Sequence, residues 1–427
     1  MTTQLPTIDP STVIPSVAEA SRKLRQLADD TLSFEQKYRG RLAKLSHADL
    51  VKAFEAFADI QMRFAEMKYI GDFFEEKFPN DNKGESPFIR AMNTAGQPLG
   101  TFINEIALLK KPALLAVAKD PAAKQFRLLV EILVRPKYPT AKDIAPRRIE
   151  KIEERARYHL AQLRDDQHAS YFAAVILGKT LEAAQNGLEN PSDLGTYDAY
   201  LTKAEIDALK KAIEQNKPVL AEYARCRNLL LLPTSASEIP QVYLPNQLSW
   251  YDAKKLALAS FDALSPELGG IARSLFEQGR VDVTPNPRLN ITVMTSHTRP
   301  TAIFVGFIGS LFDTQELTHE LGHGVHFTQR SLAQDARVFH TAAIDEVLPD
   351  LMERVVWDQM AKLPVQNVNP LEQVRDNLAS IIITSAMAHE FHDAAFKLCS
   401  QKVPWNSDQL DKVWGKLQEQ YYGVTPT

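Results

Sequence analysis

A mainly α, two-lobed fold with one small β-sheet beside a His-Glu-x-x-His helix is predicted by three observations. Apolar residues recur at helical spacing through most of the chain before residue 240, and strand signals are few there. Between residues 280 and 308 the composition turns β-branched and aromatic. Directly after that stretch, two histidines stand four apart in a helix-like segment.

The 427 residues are 44% hydrophobic and 24% charged, enough to bury a sizeable core. A formal charge of −4, without a lysine and arginine stripe, argues against a nucleic-acid partner. The first residues lack a basic-then-apolar signal, and Asp9 and Glu19 argue against a transit peptide. The most apolar run, Leu378–Ala388, is too short to span a bilayer. Cys226 and Cys399 form no metal or redox motif, so two buried thiols in a cytoplasmic protein are expected.

From Leu50 the positions Leu50, Phe54, Phe57, Ile60, Phe64 and Met67 mark one helical face. Ser46 with Asp49 provides a start, and Pro79 a stop. Lys124–Val134 and Arg148–Gln185 read as helices, the latter turning Leu160, Leu163, Tyr171 and Val175 to a core. Ala204–Asn216 and Lys217–Leu231 continue the pattern. The aperiodic, proline-containing stretch Pro233–Asn246 marks the lobe boundary, giving 1–235 and 236–427. Tyr251–Gly279 reads as one or two helices, with Ser265-Pro266 as cap and first-turn residue. Leu289–Thr295 and Thr301–Phe307 read as two strands, offering an edge on which an extended peptide can pair.

The chemistry concentrates in Thr318–His326. His319 and His323 project from one helical face a turn apart, so both imidazoles can reach one cation. Glu320 sits beside the first of them, where it can act on metal-bound water as general base without becoming a ligand. Gly322 keeps the helix slim where a neighbour approaches. One zinc per chain is the expected cofactor. Catalytic zinc takes three protein ligands, and Glu346 is the preferred third, with Asp345, Asp350 and Glu353 as rivals. Pro349 puts Glu346 at a helix start or just before a kink. Asp350 is a candidate to orient a ligating histidine through its second nitrogen. His326 reads as packing or as support behind the metal; His389 and His392 read as structural, and His297 and His340 as candidates to meet substrate.

These residues resemble the M3 family of zinc peptidases, the thimet oligopeptidase and oligoendopeptidase F group. Similar segments are Ala263–Leu268, Phe276–Val283, Pro300–Phe307, Leu317–His323, the pair Glu346 and Glu353, and Leu417–Gly423. The resemblance covers about residues 250–423; before that it rests on helicity. It implies two helical lobes flanking a channel, short peptides as substrates, and a carbonyl polarised by zinc while Glu320 shuttles the proton.

The sequence departs from the family in two places. Its inter-strand loop is shorter and lacks the family's Gly- and Arg-containing stretch. It is also C-terminally short, ending soon after Tyr421-Tyr422-Gly423, where the family continues into a region bearing a histidine and tyrosines that stabilise the tetrahedral intermediate. Tyr421, Tyr422, His297 and His340 are the candidate replacements, and a partner chain or homo-oligomer completing the site is a further expectation. The leading expectation is a zinc metalloendopeptidase of short oligopeptides. The alternatives are a zinc enzyme acting on a non-peptide small molecule, by amide hydrolysis, elimination or cyclisation, and a catalytically silent peptide binder.

Overall fold

The computed structural model describes residues 5–10, 16–77, 87–107, 109–126, 130, 167–185, 191, 203–227, 248–285, 291–293, 301–332, 342–363, 370–400 and 406–423. The chain contributes twice to each of two compact units. Met1–Val134 joins Pro240–Gln366, and Arg135–Ile239 joins Asn367–Thr427. The single cut expected between residues 235 and 236 is thereby corrected. A composition break marks where a chain leaves one body; which body it then joins is decided by long-range burial. The break itself, Pro233–Asn246, lies outside the described residues.

In the first unit, α1 (Val17–Tyr38), α2 (His47–Lys77), α3 (Pro87–Ala107) and α4 (Lys111–Lys119) gather around an aromatic core. Ser46 caps α2 by accepting the Asp49 N–H at 3.2 Å, and the stripe Leu50, Phe54, Phe57, Ile60 and Met67 is buried. Phe102 meets Phe34 edge-on at 4.7 Å, and Phe54 meets Phe126 at 5.1 Å. Most of the expected helix Lys124–Val134 lies outside the described residues; its start falls in a 3₁₀ segment, Pro121–Phe126, kinked at Ala123.

The same unit holds α7 (Trp250–Leu264), α8 (Pro266–Glu277), the sheet, α9 (Leu311–Leu332), α10 (Ala342–Asp345) and α11 (Val347–Met360). Ser265 caps α8 with Pro266 in its first turn, as the sequence predicts. The sheet has three strands in the order β1 (Val281–Thr284), β3 (Ala302–Gly306), β2 (Ile291–Val293). β1 runs parallel to β3 and β2 antiparallel, with Thr292 opposite Ile303. The sequence reading missed β1, whose four residues alternate too briefly to stand out. β1 is also tied to the N-terminal segment: Val283 N–H donates to the Pro6 carbonyl, and Thr7 and Ile8 donate to the buried Asp282 carboxylate. β3 is buried on both faces, Phe304 packing against Phe73 of α2 at 5.5 Å while Ile303 and Val305 face α8 and α9 neighbours.

The second unit contains α5 (Gln167–Gln185), α6 (Lys203–Arg227), α12 (Pro370–Ser400) and α13 (Ser407–Tyr422). In α5, Ile176 and Leu177 are buried and Val175 is exposed, so the predicted core face is rotated by about one residue. The two helices expected across residues 204–231 are one, running through Pro218. Just before that proline, Lys217 pairs with Glu214 at 2.7 Å within the helix and with Glu390 of α12 at 2.8 Å. Cys226 is exposed, correcting the expectation of a buried thiol; the Cys399 side chain lies outside the description. No helix among the described residues is long and apolar enough to cross a membrane.

Candidate metal centre

The site is built where α9 crosses α11 in the first unit. α9 starts at a tight turn in which the Asp313 carboxylate accepts the N–H groups of Ile308, Gly309 and Ser310. From that fixed start the residues 315, 319 and 323 follow at i+4 steps along one face. Gly322 lies against α11: a Cβ there would sit 2.7 Å from Pro349 Cα. The close approach lets the start of α11 reach the histidines. Gly322→Ala is therefore expected to destabilise the fold by about 1–3 kcal/mol through overpacking, read as a lowered midpoint in thermal unfolding.

Three ligand-type atoms converge. Glu346 Oε2 lies 3.4 Å from His319 Nε2 and 3.3 Å from His323 Nε2. In a tetrahedral zinc site with bonds of about 2.0–2.1 Å, neighbouring donors stand about 3.3–3.4 Å apart, so the spacing fits. Two imidazoles and one carboxylate are also the donor set of catalytic zinc sites. Glu346 occupies the N-cap position of α11, and its carbonyl accepts the Asp350 N–H at 3.0 Å. Pro349 falls in the first turn, where a missing N–H costs little.

Behind the first histidine runs a chain of polar groups. His319 Nδ1 donates to Glu353 Oε1 at 2.7 Å, Gln315 Nε2 donates to Glu353 Oε2 at 2.8 Å, and Trp357 Nε1 donates to Gln315 Oε1 at 2.7 Å. Such a carboxylate fixes the tautomer that presents Nε2 to a cation. The sequence offers Asp350 for this orienting role, with Glu353 a further supporting candidate, and the His319 Nδ1 hydrogen bond goes to Glu353. Seven residues past Glu346, or two helical turns, Glu353 stays on the same face, while Asp350 is more exposed. Asp350 belongs to a second, overlapping acidic group with His319 and Glu353.

Glu320 is buried, and its Oε2 accepts the Thr292 hydroxyl at 2.6 Å. Burial pushes its carboxyl up to about 7, against the opposing pull of that hydrogen bond and of His319. His319 is pushed up to about 9: burial works downward, but the Glu353 hydrogen bond and the surrounding carboxylates prevail. His323 is pushed down to about 4 by burial and by the neighbouring His319 charge, leaving it neutral and ready to donate a lone pair.

The remaining sequence candidates separate. His297 and His340 lie outside the described residues. Tyr421 and Tyr422 are buried in the core of the second unit with Ile383, Met387 and Leu417, and the Tyr421 hydroxyl donates to Glu390 at 2.7 Å. Their role as donors at the site stays a proposal; within their own unit the Tyr421 hydroxyl is engaged by Glu390. Thr292, Gln315 and Trp357 were missed. Gln315 and Trp357 were discoverable, since each stands four residues from a site residue on its own helix; Thr292 reaches the site only through strand pairing.

The helical fold that carries this convergence is shared with solved peptidases. With 13% identity, the chain matches a candidate peptidase from Chlamydophila abortus at a TM-score of 0.64, covering 99% of this chain and 84% of the other. It matches PZ peptidase A at 0.56, also with 13% identity, over 96% and 80%. The oligoendopeptidase F of Enterococcus faecium matches at 0.53, with 14% identity, over 96% and 80%. In sequence, the chain is 21% identical over 234 residues to oligoendopeptidase F of Lactococcus lactis subsp. cremoris. That match covers 51% of this chain and 38% of the relative, well under half of the relative's length. No family model matches the chain. Both kinds of likeness point to the same group, and the resemblance to oligoendopeptidase F-like M3 peptidases holds in sequence and in fold.

Proposed function

We propose that the chain is a zinc metalloendopeptidase that hydrolyses short oligopeptides, with His319, His323 and Glu346 as ligands and Glu320 as general base. The observation that carries this reading is the convergence of three donor atoms, with Glu346 Oε2 at zinc spacing from both imidazoles, beside a buried carboxylate that is not one of them. Bound there, one zinc ion would act as a Lewis acid on the scissile carbonyl and make water a better nucleophile at neutral pH.

The chain's own residues account for the rest. Glu353 holds the His319 ring, and its bond from Gln315 keeps that carboxylate from turning away. Glu320 takes the proton of the attacking water on its carboxylate and returns it to the leaving amine. Thr292 holds one oxygen of Glu320, which restricts the carboxylate to a narrow range of orientations. Among the described residues β2 pairs with β3 on one side, and its other edge is proposed to take the peptide backbone. A peptide on that strand would run past Thr292 and so past the base. On the far side of the sheet, β1 already bonds the N-terminal segment through Pro6.

A mixture of short peptides incubated with the purified chain tests the proposal. Cleavage that stops with a chelator and returns with about one equivalent of zinc is the expected result. An uncut mixture, despite stoichiometric zinc, would turn the reading to a non-peptide small-molecule substrate or a partner-completed site. Tight peptide binding without turnover would turn it to a silent binder.

A further inference from the structure

We propose that His326 is a positioning residue for the third ligand, acting on Glu346 through Asp345; this inference rests on the metal-site reading above. The side chain of Glu346 is 50% exposed, so packing around it does little to hold it. It stands at the junction of two helices, α10 ending at Asp345 and α11 beginning at Val347, where its carbonyl accepts the Asp350 N–H but its side chain makes no cap hydrogen bond. Its place depends on what holds the chain on either side.

Both sides are held by α9, the helix that carries the two histidine ligands. On the C-terminal side, Pro349 seats against Gly322. On the N-terminal side, the Asp345 carboxylate, with its side chain only 13% exposed, meets His326 Nε2 at 3.2 Å. The Phe327 ring stacks on His323 at 5.7 Å and tilts against His326 at 5.6 Å, limiting the motion of both. One helix thus carries two ligands and clamps the segment bearing the third. His326 adds no donor to the cluster; it sets the distance at which Glu346 completes it. Loss of such outer support typically costs about 10–100-fold in metal affinity.

The test is the zinc dissociation constant of the full chain, measured by competition with a colorimetric chelator, using zinc alone and no peptide. His326→Ala should weaken binding about 10–100-fold, and His326→Gln, whose amide can still donate to Asp345, should recover most of the loss. Asp345→Asn, close to isosteric, gives a milder perturbation should the alanine variant fail to fold. The deciding arm repeats each substitution in a Glu346→Ala background. There, each should change affinity by less than about twofold, because the residue it acts through is gone. An equal loss in both backgrounds would overturn the inference and show that His326 acts through His323 or the fold, leaving the site reading intact. No loss in the wild-type background would also overturn it. If Glu346→Ala itself leaves affinity unchanged, Glu346 is not a ligand, and the inference falls together with that part of the site reading.

Discussion

Glu320→Gln is expected to retain about one zinc per chain while lowering kcat/KM for short peptides by about 10²–10⁴-fold, the usual contribution of a general base. The substitution keeps size and hydrogen-bonding capacity at a buried position, so Thr292 can still donate to the new carbonyl oxygen. It removes the capacity to accept a proton. The three donor atoms at the cluster belong to other residues, so metal content should not change. Measuring zinc content and peptide cleavage on the same preparation separates the two roles. Cleavage that survives both this change and a chelator would show that the activity does not come from this site. Loss of zinc in the variant would show that Glu320 is itself a ligand.

His323→Ala is expected to have the largest effect on the metal. Structural zinc sites with four ligands bind with about 10–16 kcal/mol, so one ligand is worth roughly 3–4 kcal/mol, a loss of about 10²–10³-fold in affinity. His323 is the more revealing histidine to remove. His319 is tied through Glu353 and Gln315 to Trp357, so replacing it would also strand buried polar groups. Among the described side-chain bonds His323 has no comparable chain, and its Nδ1 makes no hydrogen bond of ordinary geometry. Metal content by elemental analysis, with thermal unfolding as control, should show zinc lost and the fold kept. Retained stoichiometric zinc would move the metal away from this cluster.

Much of the architecture is legible locally. The face from Leu50 to Met67 obeys one period, Ser46 and Ser265 announce helix starts, and β-branched runs mark β2 and β3. Such features depend on residues a few positions apart, and their physics is the same wherever the segment lies. The pairing of His319 and His323 is of this kind, because two side chains four apart on a helix must share a face. Glu320 beside them follows equally from the helix alone.

Other features were decided at long range. Pro218 ought to end a helix, yet α6 continues through it, with Lys217 held by Glu390 from α12. The single boundary near residue 235 gave way to a chain that returns to its first unit, since the core of α1–α4 and the sheet takes residues from both ends of a long excursion. Tyr421 and Tyr422, which the sequence offers as candidate replacement donors, are buried with Ile383 and Met387, a placement that no local period announces.

By itself, then, the sequence determined the helical class and put His319, Glu320 and His323 together as the proposed ligand pair and base, because each follows from the regular geometry of one segment. Only the tertiary structure chose Glu353 over Asp350 to orient His319, brought Thr292 to Glu320, and set Glu346 Oε2 within 3.4 Å of both imidazoles. Those choices turn on how α9 lies against α11 and β2. Gly322 and Pro349 fix that approach by excluding any side chain between them, a contact between residues far apart in the chain that no local period encodes.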